Sequence, residues 1–170
     1  MLGYINYQKG TISNSNIHSI FDLLYKQYTE VRAEYLKEQK RISEFDSENL
    51  VYSLIKDILN SERQLLNLDV VCHYPLYMLL RNHSPLNDEE RKYVSHHATH
   101  VDFLIYNRVT KIPVLAIEVD GWEFHQKGSR QAKRDNMKDS ILSRYGIELL
   151  RISTTGSGER DIIKNKLNKL

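Results

Sequence analysis

Two apolar runs joined by a single short connection constrain this chain more than any other feature. HVDFLIYN (His100–Asn107) and PVLAIEVD (Pro113–Asp120) have strand length and strand composition, and only RVTKI lies between them. They read as a hairpin of central strands. Side chains alternate across a strand, so Asp102 shares a face with Leu104 and Tyr106, while Val101, Phe103 and Ile105 point the other way. By the same rule Glu118 and Asp120 share a face, behind Val114 and Ala116. Like charges at that spacing disfavour each other, and more so where water is scarce. Something cationic therefore belongs between them: an arginine, a lysine or a metal.

The elements around this hairpin follow from periodicity and punctuation. Ile17, Phe21, Leu24, Tyr28, Val31 and Tyr35 step by four and three, which predicts a long helix to about Gln39 packed along one seam against the rest of the protein or a partner. SEFDSEN then breaks the pattern, with Ser43, Asp46 and Ser47 as N-cap candidates. A second helix to about Asn60 follows, Leu50, Leu54 and Ile58 forming an apolar row. LDVVCHYPL is a strand whose Pro75 puts it at a strand end or edge, and a short helix is expected after Asn87. Ser129–Tyr145 reads as a helix stopped by Gly146, IELLRIS as a fourth strand, and the TTGSG loop as the entry to a final helix. The order predicts an α/β sandwich around a small mixed sheet.

Bulk properties set the class. With 170 residues, 41% hydrophobic and 27% charged, the chain has room for one domain and an appendage. A net charge of +2 does not by itself announce a nucleic-acid binder. The single cysteine, Cys72, excludes an internal disulfide framework and a multi-cysteine zinc site, and fits a reducing cytoplasm. No apolar run approaches the ~18 residues of a membrane span. The opening MLGYINYQKG shows neither a capped helix nor a clean strand, so the expectation is a continuation of something longer.

The hairpin supplies three carboxylates, and in register Asp102, Glu118 and Asp120 converge at one end of the sheet. Glu48 adds a fourth from the second helix, on the stripe it shares with Val51, Tyr52, Ile55 and Leu59. Oxygen ligands from two strands suit Mg²⁺ or Mn²⁺, which polarise a phosphodiester and acidify a bound water. In the following helix Gln131, Arg134, Asp135 and Lys138 fall along one stripe ending on Ile141 and Leu142, so Lys138 is placed to reach the carboxylates. Lys127, Arg130, Lys133 and Arg134 make a basic patch at the start of that helix, a solvated face or a phosphate contact. His125, in the turn before it, is a candidate base or phosphate contact. In HHATH, His96, His97 and His100 lack a helical setting and read as surface or nucleic-acid-facing side chains.

The pattern VDFLIYN…PVLAIEVDGWEFH…RQAKRDNMKDSIL…GIELLRI resembles the PD-(D/E)XK nucleases. It is most similar to a branch near the very-short-patch repair endonucleases, and to a domain of unknown function at the C-termini of superfamily I helicases. The resemblance covers roughly Asp46 to Ile152. It implies a restriction-endonuclease-like core over residues 46–170, with residues 1–45 as a helical extension packing on it. It makes Asp102 and Glu118 metal ligands, with Asp120 assisting, and matches Glu48 to the family's helix acid. Asp120 stands where the family usually has lysine, and Lys138 is the candidate replacement. The expectation is a Mg²⁺- or Mn²⁺-dependent nuclease domain acting on DNA, RNA being left open, covalently linked to a helicase and not to a membrane. The alternative is a catalytically silent nuclease-fold module that binds nucleic acid or a protein partner.

Overall fold

The structure, a computed structural model, describes residues 14–38, 41–120, 130–153 and 158–170. The chain divides into two units, Met1–Arg41 and Ile42–Leu170. In the first, helix α1 (Asn14–Glu38) takes up the four-three stripe. Within that unit Phe21, Leu24, Tyr28, Val31 and Tyr35 are exposed.

The second unit runs α2 (Asp46–Ser61), β1 (Leu68–Pro75), α3 (Leu76–Leu79), α4 (Asp88–Val94), β2 (His100–Asn107), β3 (Pro113–Asp120), α5 (Arg130–Arg144), β4 (Leu149–Ser153) and α6 (Glu159–Leu167). Its sheet has the order β1-β2-β3-β4. The first three strands are antiparallel neighbours and β4 runs parallel to β3, because α5 carries the chain back across the sheet between them. The result is α/β, a small mixed sheet with helices on both faces.

Alternation along the strands sorts the apolar residues into two layers. Phe103, Ile105, Leu115 and Ile117 pack with Val51, Ile55 and Ile58 of α2 and Ile163 of α6. Leu104 and Ala116 point the other way, onto Val94 of α4 and Ile141 and Leu142 of α5. Val101 joins this second layer against strict alternation, at the strand end beside α3 and α4.

Two expectations about α2 need correction. Its apolar face is Val51, Ile55, Ile58 and Leu59, with Glu48 buried on the same stripe; Leu50, expected on an apolar row, is 70% exposed. The N-cap is Phe45, without a side-chain cap bond, in place of Ser43, Asp46 or Ser47. Ser43 is diverted: its hydroxyl accepts from the Phe45 N–H, while the Asn49 side chain brackets the Ser43 backbone from both sides. That local network competes with capping.

The helices that carry the site are anchored at their ends. Asn87 caps α4 reciprocally with Glu90, each side chain accepting from the other's backbone N–H at 2.9 Å. Glu90 also takes a two-pronged ion pair from Arg144, at 2.8 and 2.9 Å, which ties α4 to the last turn of α5. Held by that pair and the cap, the Glu90 carboxyl stays below the ordinary carboxylate range. Helix α5 ends as its glycine requires. The N–H groups of Gly146 and Ile147 return to the carbonyls of Ser143 and Leu142 at 3.0 and 2.9 Å, with Gly146 at a φ of 67°. No described helix is long and apolar enough to cross a membrane.

A Cβ at position 146 would meet nothing within 4 Å, so Gly146→Ala isolates the cost of the left-handed backbone. Chemical denaturation of that variant should show a loss of about 1–2 kcal/mol with an unchanged m-value. A neutral result would mean that the turn re-forms without positive φ.

Candidate functional site

One row crosses the sheet and carries the polar chemistry. Cys72 pairs with Phe103 and Tyr74 with Val101, so His73 on β1 stands opposite Asp102 on β2. Phe103 pairs with Ile117, so Asp102 stands opposite Glu118 on β3, and Glu118 is in turn the partner of Arg151 on β4. Cross-strand neighbours on one face lie about 5 Å apart at Cβ, which makes this row a single electrostatic unit.

Glu118 is its most buried carboxylate. It is only 8% exposed, and Lys138 from α5 donates to its Oε2 at 2.8 Å. Lys138, itself buried, also donates to the His100 carbonyl at 2.9 Å. Its stem rises from the stripe that seats Ile141 and Leu142, so helical spacing delivers the ammonium to the strands as the sequence requires. The second carboxylate oxygen, Oε1, is buried without a hydrogen-bond partner. Burial pushes the Glu118 carboxyl up to about 7; the Lys138 ammonium pulls it down and the Asp102 charge pushes it further up.

Asp102 is held differently. Its Oδ2 accepts from the Val119 N–H at 2.8 Å, and its Oδ1 lies 3.8 Å from His100 Nε2. Asp120 lies at the β4 end of the group: Arg151, the cross-strand partner of Glu118, reaches it at 3.4 Å and reaches Asp139 of α5 at 2.7 Å. The cations required beside Glu118 and Asp120 are thus two different side chains, Lys138 for the first and Arg151 for the second. Glu48 of α2 is buried, with Oε2 3.5 Å from His73 Nε2.

A cleft of about 470 Å³ opens beside this row, with His100, Asp102, Lys138, Tyr93, Lys133 and Arg134 in its wall. Burial first, and then the charges of Glu118 and Asp135, push the Tyr93 hydroxyl up to about 12, so it stays a donor. Lys133 and Arg134 are exposed at the rim. Arg130 begins α5, whereas His125 and Lys127 lie outside the described residues.

Two participants escaped the sequence reading. His73 sits in an apolar strand and becomes visible only once β1 is in register with Asp102. Arg151 sits in LLRIS, where one charge among apolar residues was the available signal. Of the HHATH histidines, His96 and His97 stack on each other in the open, as surface side chains do. His100 departs from that expectation, because β2 begins with it and turns its ring onto Asp102.

A raised folded-state pKa contributes stability that is fully present below the unfolded value and is lost as pH rises through the folded one. In metal-free buffer, stability should therefore decline from about pH 4.5 to about pH 7 on account of Glu118. Urea melts across that window should show the decline in the wild type and a flatter profile in Glu118→Gln. The same slope in both proteins would assign the effect to other groups.

Comparison with known proteins returns one result. A family model described as "Protein of unknown function (DUF2726)" matches residues 44–170. No curated protein and no solved structure matches the chain.

Proposed function

Since residues 44–170 make this chain a member of the DUF2726 family, a family without an assigned activity, we propose that they form a metal-dependent phosphodiesterase domain of restriction-endonuclease-like architecture acting on DNA. The observation that carries this reading is that Asp102 and Lys138 line a cleft rimmed by Lys133 and Arg134, with the buried Glu118 paired to Lys138 behind them. Two carboxylates side by side on neighbouring strands, one with a buried oxygen lacking any partner, fit a divalent cation such as Mg²⁺ or Mn²⁺. Asp102 and Glu118 would hold it. Once bound, the ion supplies Lewis acidity toward a phosphate and toward a water.

The chain's own side chains do the rest. Lys138 sits within reach of the carboxylates and, because it is fixed by two hydrogen bonds, can offer its third proton to a phosphate oxygen or a water without reorganising. That is the service a lysine at position 120 would give, so Lys138 supports catalysis despite the aspartate there. Lys133 and Arg134 supply sequence-independent attraction for the phosphate backbone. Glu48 stands behind His73 rather than beside Glu118, which suits a supporting part.

A specific observation favours the second reading, a silent nuclease-fold module that binds nucleic acid or a protein. Lys138 and Glu118 already neutralise each other at 2.8 Å, a pair that holds a fold together without any ion.

Cleavage of circular, linear and single-stranded DNA with Mg²⁺ or Mn²⁺ separates the two. The nuclease reading expects metal-dependent cleavage that Asp102→Ala abolishes and Lys138→Ala lowers by roughly 10²-fold, the scale of one charge-stabilising group. Reversing Lys133 and Arg134 should weaken DNA binding and flatten its salt dependence. Salt-dependent binding without cleavage under any metal would select the silent module.

A further inference from the structure

The histidines beside Asp102 are arranged as ligands usually are. His73 Nδ1 and His100 Nε2 face each other at 3.3 Å, and Asp102 Oδ1 lies 3.8 Å from His100 Nε2. One ligand atom from each of the three falls within 4.8 Å of the others. Two imidazole nitrogens bound at 2.0–2.1 Å in a tetrahedral site are separated by about 3.3 Å. The gap between the rings is therefore already the ligand spacing.

Each of the three groups is also steered from behind. His100 Nδ1 lies 2.9 Å from the Ala98 carbonyl, which can only accept, so Nδ1 carries the proton and Nε2 presents its lone pair. His73 Nε2 lies 3.5 Å from Oε2 of the buried Glu48, an oxygen without a hydrogen-bond partner, while Nδ1 faces the cluster. The Val119 N–H holds Asp102 Oδ2 and so aims Oδ1. Ligating histidines ordinarily donate their other nitrogen to a carboxylate or a carbonyl, as His100 does to Ala98, and Glu48 is the carboxylate within reach of His73. The backbone points the same way. His73 has a φ of 49°, a left-handed conformation inside a strand, which an ordinary side chain adopts at a cost. That twist turns the ring toward both Glu48 and His100.

From this geometry we propose that His73, His100 and Asp102 form a transition-metal site, with Glu48 as the carboxylate behind His73. Two imidazoles and one carboxylate leave coordination positions open, and imidazole nitrogen favours Mn²⁺ and the later divalent ions over Mg²⁺. The inference rests on Asp102 being a metal ligand and deepens that reading: the ion beside it takes nitrogen donors. Glu48, which the phosphodiester reading leaves without direct work, acquires a defined one.

The test is direct binding of Mn²⁺, followed by loss of the free-ion paramagnetic signal, with Mg²⁺ as competitor. Wild type should bind Mn²⁺ and keep it against a large excess of Mg²⁺. His100→Ala should weaken Mn²⁺ binding by about 10-fold or more, and Glu48→Gln by about 10-fold, the range for outer partners of a ligand. His73→Gly should match His100→Ala while keeping the left-handed backbone free of strain, and thermal melts check that each variant folds. Mn²⁺ affinity unchanged in folded His73→Gly and His100→Ala would overturn the proposal, as would Mg²⁺ displacing Mn²⁺ at equal concentration. Histidine-dependent Mn²⁺ binding by a protein that cleaves no DNA would uphold this site and remove the phosphodiester reading. Wild-type cleavage in Mg²⁺ by both histidine variants, with Mn²⁺ affinity intact, would do the reverse.

Discussion

Glu118 is a carboxylate in the middle of a sheet, on a strand with neighbours on both sides, and almost no water reaches it. A buried acid in that position must either stay protonated or be matched by a cation. Much of the second unit follows from how it is matched. Helix α5 has to cross the sheet at the height that brings Lys138 to Glu118, so the β3–α5–β4 crossover, the Gly146 turn and the Arg144–Glu90 tie to α4 all serve one placement. Arg151 completes it from β4 by taking Asp120 and Asp139, which leaves Lys138 to Glu118 alone among the described acidic side chains.

The parts of the fold governed by short-range periodicity were legible. HVDFLIYN and PVLAIEVD are the two central strands, Gly146 is the helix stop, and Asn87 is the cap of α4, because each depends on residues a few positions apart. What failed in α2 failed for a local reason too. The Leu50 row and the Glu48 row are both helical stripes, and only the tertiary partner decides which is buried. The buried face joins Val51, Ile55 and Leu59 of the acid's stripe to Ile58 of the other, with Leu54 at its edge, and only Leu50 is left in the open.

The site was legible along the chain and illegible across it. Helical spacing from Ile141 and Leu142 suffices to aim Lys138 at the strands, and alternation suffices to put Asp102 and Glu118 on one face. His73 is different. Its part depends on strand register, on a left-handed φ, and on Glu48 arriving from another element, none of which leaves a trace in VVCHYP. Asp120 is grouped with Glu118 by alternation, but its cation, Arg151, comes from the parallel strand and could not be named from the hairpin alone.

The central claim is that this row of side chains is built around a cation, with the Lys138–Glu118 pair beside it rather than in its place. A crystal grown with Mn²⁺ and measured for anomalous scattering tests it most directly. The account predicts one strong peak in bonding contact with Asp102, Lys138 remaining on Glu118. No peak at Asp102 under saturating Mn²⁺, with the row otherwise unchanged, would contradict it.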